Sequence, residues 1–263
     1  MHPMTNCRSR NRALVWACWL SLALTLLMPW RSQAEQRDPK AVGIAQNVLA
    51  KMGGEEAWQG TRYLRFNFFG FRTHHWDRYD GRHRFEGKSR DGDSYLVLHN
   101  INTRQGDVWI NGEAIDGEAK SQWLERAYGA WINDTYWLIM PYKLLDPGVN
   151  LAYDGEETIE GTTFDKLRLT FNSVGMTPGD TYWAYINRDS GLMERWAYHL
   201  ESWEDDREPT AWQWLDWQSY GNIMLSSRRV KTDDGNERPL ADIAVFNSLP
   251  NSVFESSDPV AAE

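Results

Sequence analysis

The sequence has 263 residues, of which 41% are hydrophobic and 25% are charged, a composition typical of a folded protein and not of a disordered one. The net charge of −9 at pH 7 argues against non-specific binding to nucleic acid or to an anionic membrane surface. The 15 tryptophans are unusually many, so the fold must either bury or use a large aromatic surface.

The first 34 residues have the pattern of a secretory signal peptide. Arginines at positions 8, 10 and 12 precede an apolar run from Ala13 to Met28, and Ser32-Gln33-Ala34 offers small residues for cleavage. The run is shorter than the roughly 20 residues of a membrane span, although an uncleaved N-terminal anchor is the alternative. We therefore expect cleavage after Ala34, a periplasmic protein, and a single domain over residues 35–263.

Cleavage at that position would remove both cysteines, Cys7 and Cys18, together with four arginines. The remaining chain would have 24 basic and 37 acidic side chains, a net charge of −13, and no thiol chemistry. Because extracellular eukaryotic domains are commonly stabilised by disulfides, the bacterial periplasm is the better match.

One amphipathic helix is predicted at the start of the domain. Asp38 suits the N-cap, Pro39 suits the first helical position, and Gly53-Gly54 ends the pattern. Most of the chain beyond this helix alternates with a period of two, as in Leu64, Phe66 and Phe68.

Nine or ten strands are predicted, separated by turn sequences such as Asp80-Gly81 and Asn111-Gly112. Short strands joined in this way indicate a mainly β (α+β) fold with a largely antiparallel, strongly curved sheet. Besides the strand at 64–68, the predicted strands are 73–79, 82–86, 95–101, 107–110, 166–171, 181–187, 192–200, 211–220 and 223–231.

The alternation stops between residues 118 and 146. Trp123, Ala127 and Tyr128 lie at helical spacing, and Gly129 interrupts the pattern. Asn133-Asp134 then has the composition of an N-cap for a second helix, which a proline would end. The sequence therefore predicts a pair of short helices inserted midway through the sheet.

No common catalytic motif is present, since the sequence lacks G-x-S-x-G, H-E-x-x-H and a phosphate-binding glycine loop. The best metal candidate is His74-His75-Trp76-Asp77 with His83, but a strand places His74 on one face and His75 and Asp77 on the other. We interpret these histidines as exposed or hydrogen-bonded strand residues. The sequence therefore predicts no metal, no cofactor and no enzymatic activity.

The tryptophans leave two other functions open. Trp212 and Trp214, together with Glu194 and Asp216, would suit a secreted carbohydrate-binding protein or glycosidase with solvent-exposed tryptophans. We favour the interpretation that the acids are buried partners of inward-facing arginines such as Arg84 or Arg65, and that the aromatic side chains fill a curved sheet. An envelope-assembly adaptor that binds another protein would instead have a collapsed interior and an exposed apolar patch.

Two segments resemble a periplasmic branch of the lipoprotein-carrier (LolA/LolB-like) superfamily. One is Asn133–Leu144 (NDTYWLIMPYKL), continuing through Leu145-Asp146-Pro147-Gly148, and the other is Val174–Tyr182 (VGMTPGDTY), running into Asp189-Ser190-Gly191. The order of predicted elements is also similar over most of the chain after residue 34. The resemblance implies an incomplete barrel with a helical lid that holds acyl chains between the two.

The resemblance also implies that a barrel arginine bonds the lid, for which Arg65, Arg78 and Arg84 are candidates. This chain has more tryptophan than such carriers, and its predicted lid carries charged residues such as Glu118 and Lys120. These differences favour a ligand other than a lipoprotein.

We therefore predict a periplasmic binding or carrier protein for a lipid or other amphipathic molecule, held between a half-barrel and its lid. An envelope membrane protein is a further candidate partner, nucleic acid is not expected, and a monomer is expected. The predicted ligand-binding residues are Phe66, Phe68, Phe85, Leu96 and Leu98 on the early strands and Trp123, Tyr128, Trp131, Trp137 and Leu138 in the inserted helices.

Overall fold

The computed structural model describes residues 35–260, so the predicted signal peptide lies outside the described residues. Within this range, thirteen antiparallel strands form one sheet in the order β6-β5-β4-β3-β2-β1-β13-β12-β11-β10-β9-β8-β7. Because β6 and β7 are not paired with each other, the sheet is open, which confirms the predicted incomplete barrel. The strands are β1 Tyr63–Phe68, β2 Arg72–Asp77, β3 Arg82–Lys88, β4 Ser94–Asn100, β5 Gly106–Ile110, β6 Glu113–Ile115, β7 Val149–Ile159, β8 Thr162–Phe171, β9 Thr181–Asn187, β10 Met193–His199, β11 Thr210–Tyr220, β12 Ile223–Lys231 and β13 Glu237–Phe246.

The helices are α1 (Pro39–Lys51), α2 (Gly54–Gly60), α3 (Gly117–Ile139) and α4 (Ser252–Glu255), and a one-turn 3₁₀ helix, Met140–Lys143, follows α3. The predicted first helix is confirmed: the Asp38 carboxylate accepts a hydrogen bond from the Lys40 amide at 2.7 Å. None of the helices within residues 35–260 is long and apolar enough to span a membrane.

The chain path places α3 across one face of the sheet. Strands β1 to β6 run from the centre of the sheet to one edge, and β7 to β13 return from the opposite edge until β13 pairs with β1. Since α3 joins β6 to β7, it connects the two edges. We call the face that α3 covers the inner face.

Two groups of apolar side chains fill the space beneath α3. The first half of α3 packs Ala127 and Trp123 against Phe85, Tyr95 and other residues of β3 to β5. The second half joins a larger core that also includes α1 and the inner face of β1, β2 and β7 to β13. The helix is therefore held by apolar contacts along its length.

The predicted pair of inserted helices is wrong in one respect, because α3 is a single helix of 23 residues. Gly129 lies inside it, and a glycine in a helix costs only about 1 kcal/mol relative to alanine. Asp134 caps no second helix, since two basic side chains of β2 bind its carboxylate.

All ten predicted strand segments are present, but the prediction of nine or ten strands is too low because β6, β7 and β13 were missed. β6 has only three residues, and the C-terminal half of β7 is rich in acidic residues, as suits an edge strand. β13 contains Pro239 and exposed Asp242, so its alternation is weak. The two edge strands, β6 and β7, and the irregular strand β13 therefore lack the regular alternation by which the other strands were predicted.

Candidate functional site

The interface between α3 and the inner face contains a buried polar network around Asp134. Its carboxylate is completely buried and accepts hydrogen bonds from Arg72 Nε at 2.5 Å, Arg72 Nη2 at 2.7 Å and His74 Nε2 at 2.8 Å. Arg72 and His74 lie two residues apart on β2, so both point to the inner face. The network therefore ties α3 to the sheet by a charged, bidentate contact.

Two further histidines extend this network across neighbouring strands. His74 Nδ1 lies 3.0 Å from His83 Nε2, and His83 Nδ1 lies 2.7 Å from His99 Nε2. If His74 donates to an ionised Asp134, His83 must donate to His74 and His99 must donate to His83. This order leaves His99 Nδ1 as an acceptor at the end of the chain, and that atom has no hydrogen-bond partner among the described residues.

Burial keeps these histidines neutral. It lowers the pKa of His74, lowers that of His83 further, and lowers that of His99 to about 4. Burial opposes ionisation of Asp134, but hydrogen bonds from His74 and Arg72 hold its pKa below the ordinary value. A carboxylate and three neutral imidazoles thus lie beneath the helix.

Aromatic rings surround the C-terminal half of α3. The Trp137 ring centroid lies 4.7 Å from that of Trp196 and 5.3 Å from that of Trp212, and the Tyr136 ring also contacts Trp196. Trp196 in turn contacts Trp214. We call these five residues the aromatic cluster.

Several donors in this region are buried without an acceptor among the described residues. They are the indole nitrogens of Trp196, Trp212 and Trp214, the hydroxyl of Tyr136, and Nε of Arg229, which stacks on Trp214 at 3.5 Å. An unsatisfied buried polar group costs about 1–3 kcal/mol. A concentration of donors is chemically suited to a molecule that supplies oxygen acceptors.

The predicted binding residues lie in different parts of this structure. Phe66 and Phe85 are buried on the inner face, where their rings contact His74. Leu96 and Leu98 lie on the opposite face, because Val97 between them faces α3. The predicted residues on the inner face or on α3 are Phe66, Phe68, Phe85, Trp123, Tyr128, Trp131, Trp137 and Leu138.

The outer face around Leu98 is covered by the C-terminal segment. Leu98 pairs with Arg84, whose guanidinium donates to the carbonyls of Ser256 at 2.9 Å and Asp258 at 3.0 Å. The early-strand prediction placed Leu96 and Leu98 in the same site as Phe85. Strand alternation instead separates them from it, so they are not part of the candidate site.

Sequence reasoning missed the polar residues that contact α3. The three candidate arginines bind elsewhere: Arg65 donates to the Asp242 carbonyl, Arg78 donates to the Trp58 carbonyl, and Arg84 donates to the C-terminal segment. The arginines that do contact α3 are Arg72 and Arg229. The period-two relation of Arg72 to His74 was an available signal. No local pattern singles out Arg229, because its contact with α3 joins residues 92 positions apart in the chain.

The structure removes the basis of the carbohydrate interpretation. Trp212 and Trp214 are 7% and 0% exposed, so they do not form an open aromatic surface. The predicted carboxylates are engaged elsewhere: Asp216 pairs with Arg228 at 2.7 Å, and Glu194 accepts hydrogen bonds from Asn187 and Ser190. Among residues 35–260, no group of three acidic, cysteine or histidine side chains is arranged to hold a metal ion.

An open surface depression of about 550 Å³ lies elsewhere, beside β7 and β8. Its lining is mainly polar and includes Arg37, Asn150 and Arg168. None of the predicted ligand-binding residues lines it, so it is separate from the candidate site beneath α3.

No family model and no curated protein matches the sequence. Among solved structures, the chain is similar to a DUF1329 family protein from Desulfovibrio piger, with a TM-score of 0.41 and 14% identity over 82% of this chain and 98% of that one. It is also similar to a putative outer membrane lipoprotein-sorting protein domain from Vibrio parahaemolyticus, with a TM-score of 0.43 and 11% identity over 82% of this chain and 97% of that one. For a LolA superfamily protein from Nitrosomonas europaea, the TM-score is 0.41 and the identity is 11% over 80% of this chain and 96% of that one. Of these three proteins, the one from Nitrosomonas europaea is described as belonging to the LolA superfamily.

Proposed function

We propose that the protein is a periplasmic binding or carrier protein that holds a lipid or other amphipathic molecule between α3 and the inner face, without catalysing a reaction. The observation that carries this proposal is the set of buried donors without acceptors in and beside the aromatic cluster. An amphipathic molecule would place its alkyl chain against the rings and its oxygen atoms against the donors. Both parts of the interface would then be satisfied by one ligand.

The energetics favour a ligand with a long alkyl chain. Burial of each methylene contributes about 0.8 kcal/mol, so an acyl chain gains affinity with length and needs few directed contacts. The aromatic cluster provides a wide apolar wall for such a chain. The few polar groups nearby would fix its orientation.

Entry of the ligand requires α3 to move away from the sheet, because its side chains fill the interface. Gly117 begins the helix with φ of 67°, and Gly148 follows the 3₁₀ helix with φ of 84°. Both angles lie in the left-handed region that favours glycine, so each end of the crossing segment has a residue suited to a change of backbone direction.

The proposed partners are a single amphipathic molecule and an envelope membrane protein that delivers or receives it. The net charge of −13 after cleavage would limit adsorption to anionic membrane surfaces in the absence of such a partner. A monomer suffices for this role, since one chain supplies both α3 and the sheet.

Native mass spectrometry of protein secreted into the bacterial periplasm tests the proposal, with organic extraction and lipid analysis of whatever co-purifies. We expect one lipid per chain that is released by extraction. An apo mass, with no uptake of oleate or phospholipid on titration, would contradict the carrier function. That result would favour the adaptor interpretation, for which the exposed side chains of Phe71, Tyr79 and Met176 are candidate contacts.

A further inference from the structure

In the part of the chain that the structure describes, two arginines are completely or almost completely buried, and they differ in their electrostatic partners. Arg84 is 1% exposed and lies 2.8 Å from the Glu86 carboxylate. Arg229 is 0% exposed and has no carboxylate within 4.0 Å in the described part of the chain. Among residues 35–260, Arg229 is therefore the one fully buried arginine that has no carboxylate partner.

All hydrogen-bond acceptors of Arg229 are uncharged. Its terminal nitrogens donate to Ser226 Oγ at 2.7 Å and to the Trp137 carbonyl of α3 at 2.6 Å, with further bonds to the carbonyls of Ser226 and Arg228. Its Nε is buried and donates to none of the described atoms. The Nε–H group of Arg229 is thus free to bind a new acceptor without loss of an existing bond.

A second arginine lies opposite Arg229 on the neighbouring strand. Arg229 pairs directly with Arg238 across β12 and β13, and paired residues of an antiparallel sheet share a face. Arg238 donates to the Asn236 side chain and the Glu237 carbonyl, both of which are uncharged acceptors. Like charges placed directly opposite each other destabilise a strand pair, and an anion between them would relieve that repulsion.

The C-terminal end of α3 offsets part of the charge of Arg229. Trp137 lies in the last turn of the helix, where carbonyls lack helical partners and the helix dipole favours a cation. A role confined to capping this helix would leave Nε of Arg229 unpaired. The uncharged acceptors also cannot replace a counter-ion in a site from which water is excluded.

We propose that Arg229 binds the anionic head group of the amphipathic ligand, a carboxylate or phosphate oxygen, while the ligand's alkyl chain lies against the aromatic cluster. This inference rests on the proposed function. The planar guanidinium suits both kinds of oxyanion, and the stacking of Arg229 on Trp214 fixes its orientation. The protein would therefore select anionic lipids over neutral lipids with the same chain.

Displacement of the neutral fluorescent probe N-phenyl-1-naphthylamine from the full chain tests this selectivity. The competitors are oleate, 1-oleoyl-lysophosphatidate and methyl oleate, each below its aggregation concentration. We expect at least one of the two anions to compete about tenfold more strongly than methyl oleate. The two anionic arms distinguish a carboxylate from a phosphate head group.

Two variants assign the preference to this arginine. Arg229→Met is expected to bring the affinity ratio of anion to ester close to one, and Arg229→Lys is expected to retain part of it. The matched control is Arg84→Met, a substitution of a buried arginine on the outer face, which should leave the ratio unchanged.

The affinity ratio of anion to methyl oleate in the wild-type protein tests head-group selection even if Arg229→Met does not fold. Equal displacement by the anions and by methyl oleate overturns head-group selection but leaves the proposed carrier function standing. An unchanged preference in folded Arg229→Met also overturns it. Failure of every competitor and of the probe to bind would instead contradict the proposed function itself.

Discussion

Replacement of Asp134 by asparagine would remove the negative charge of the side chain while nearly preserving its shape. Its buried carboxylate binds Arg72 and His74, and removal of one partner from a buried ion pair commonly costs 3–5 kcal/mol. We predict that Asp134→Asn lowers the free energy of unfolding in urea by about 3 kcal/mol, the lower end of that range, because Arg72 keeps partial contact with solvent.

Asp216→Asn is the matched control for that substitution. Asp216 also pairs with an arginine, Arg228, but both side chains are more than one-third exposed. Because exposed ion pairs contribute little to stability, the control should unfold close to the wild-type midpoint. Equal effects of the two substitutions would show that the buried network does not hold α3 more strongly than a surface pair.

The buried histidines make stability depend on pH. Burial lowers the pKa of His99 to about 4 and that of His75 to about 3, where the positive charges of Arg84 and Arg65 add to the effect. Unfolded histidine titrates near 6.5, so the unfolded chain binds more protons than the native chain between pH 6.5 and 4. Stability conferred by the neutral histidines is present above pH 6.5 and is lost as the pH falls.

We predict that the unfolding free energy decreases from pH 7 to pH 4, with a contribution of up to about 1.4 kcal/mol per pH unit from each such histidine. Replacement of His99 by glutamine should reduce this slope, because it removes one titrating group at the end of the network. Urea denaturation at pH 7, 6, 5 and 4 measures the slope. A constant unfolding free energy over this range would contradict the neutral state of the histidines.

At the scale of elements, two adjacent side chains of α3 are expected to have different roles, one in ligand binding and the other in stability. Trp137 is half-buried within the aromatic cluster, whereas Leu138 is 1% exposed and packs in the main core. We predict that Trp137→Ala weakens lipid uptake about tenfold. Leu138→Ala should chiefly lower stability, by about 2–5 kcal/mol.

Lipid titration and urea denaturation of the same variants measure these two effects. Trp183→Ala is a suitable control for loss of an indole, because Trp183 packs with Phe164 and Tyr185 outside the main core and donates to Asp154. If Trp137→Ala reduces uptake and the unfolding midpoint in parallel, Trp137 is a core residue and not a ligand contact.

The sequence was sufficient to predict the elements whose patterns are local. Asp38 and Pro39 marked the start of α1, and alternation located ten of the thirteen strands. The single helix α3 escaped because its continuity through Gly129 depends on packing against the sheet. Strand β13 escaped because its pairing with β1 is a non-local contact that stabilises an irregular sequence.

The same distinction applies to the candidate site. Aromatic residues of α3 were recognisable from composition, but register decided which strand residues join them, as Leu96 and Leu98 show. Arg229 and Trp137 are brought together only by the fold. A buried cation without a counter-ion is a property of three-dimensional surroundings, and one sequence does not reveal it.

At the scale of the whole molecule, an open sheet and a helix joined to both of its edges form one enclosed interface. The sheet has edges at β6 and β7, so its curvature is not fixed by closure of the hydrogen-bond ladder. α3 connects these edges and covers the space between them. A ligand at this interface would separate helix from sheet without breaking the pairing of the strands.

The site of a bound acyl chain is the most direct test of this arrangement. Protein loaded with a fatty acid that carries a photoreactive diazirine on its chain would be irradiated, digested and analysed by mass spectrometry. We predict cross-links to α3 and to inner-face residues of β10 to β12, with excess oleate suppressing them. Cross-links confined to the outer face, or to the polar depression beside β7, would contradict binding beneath α3.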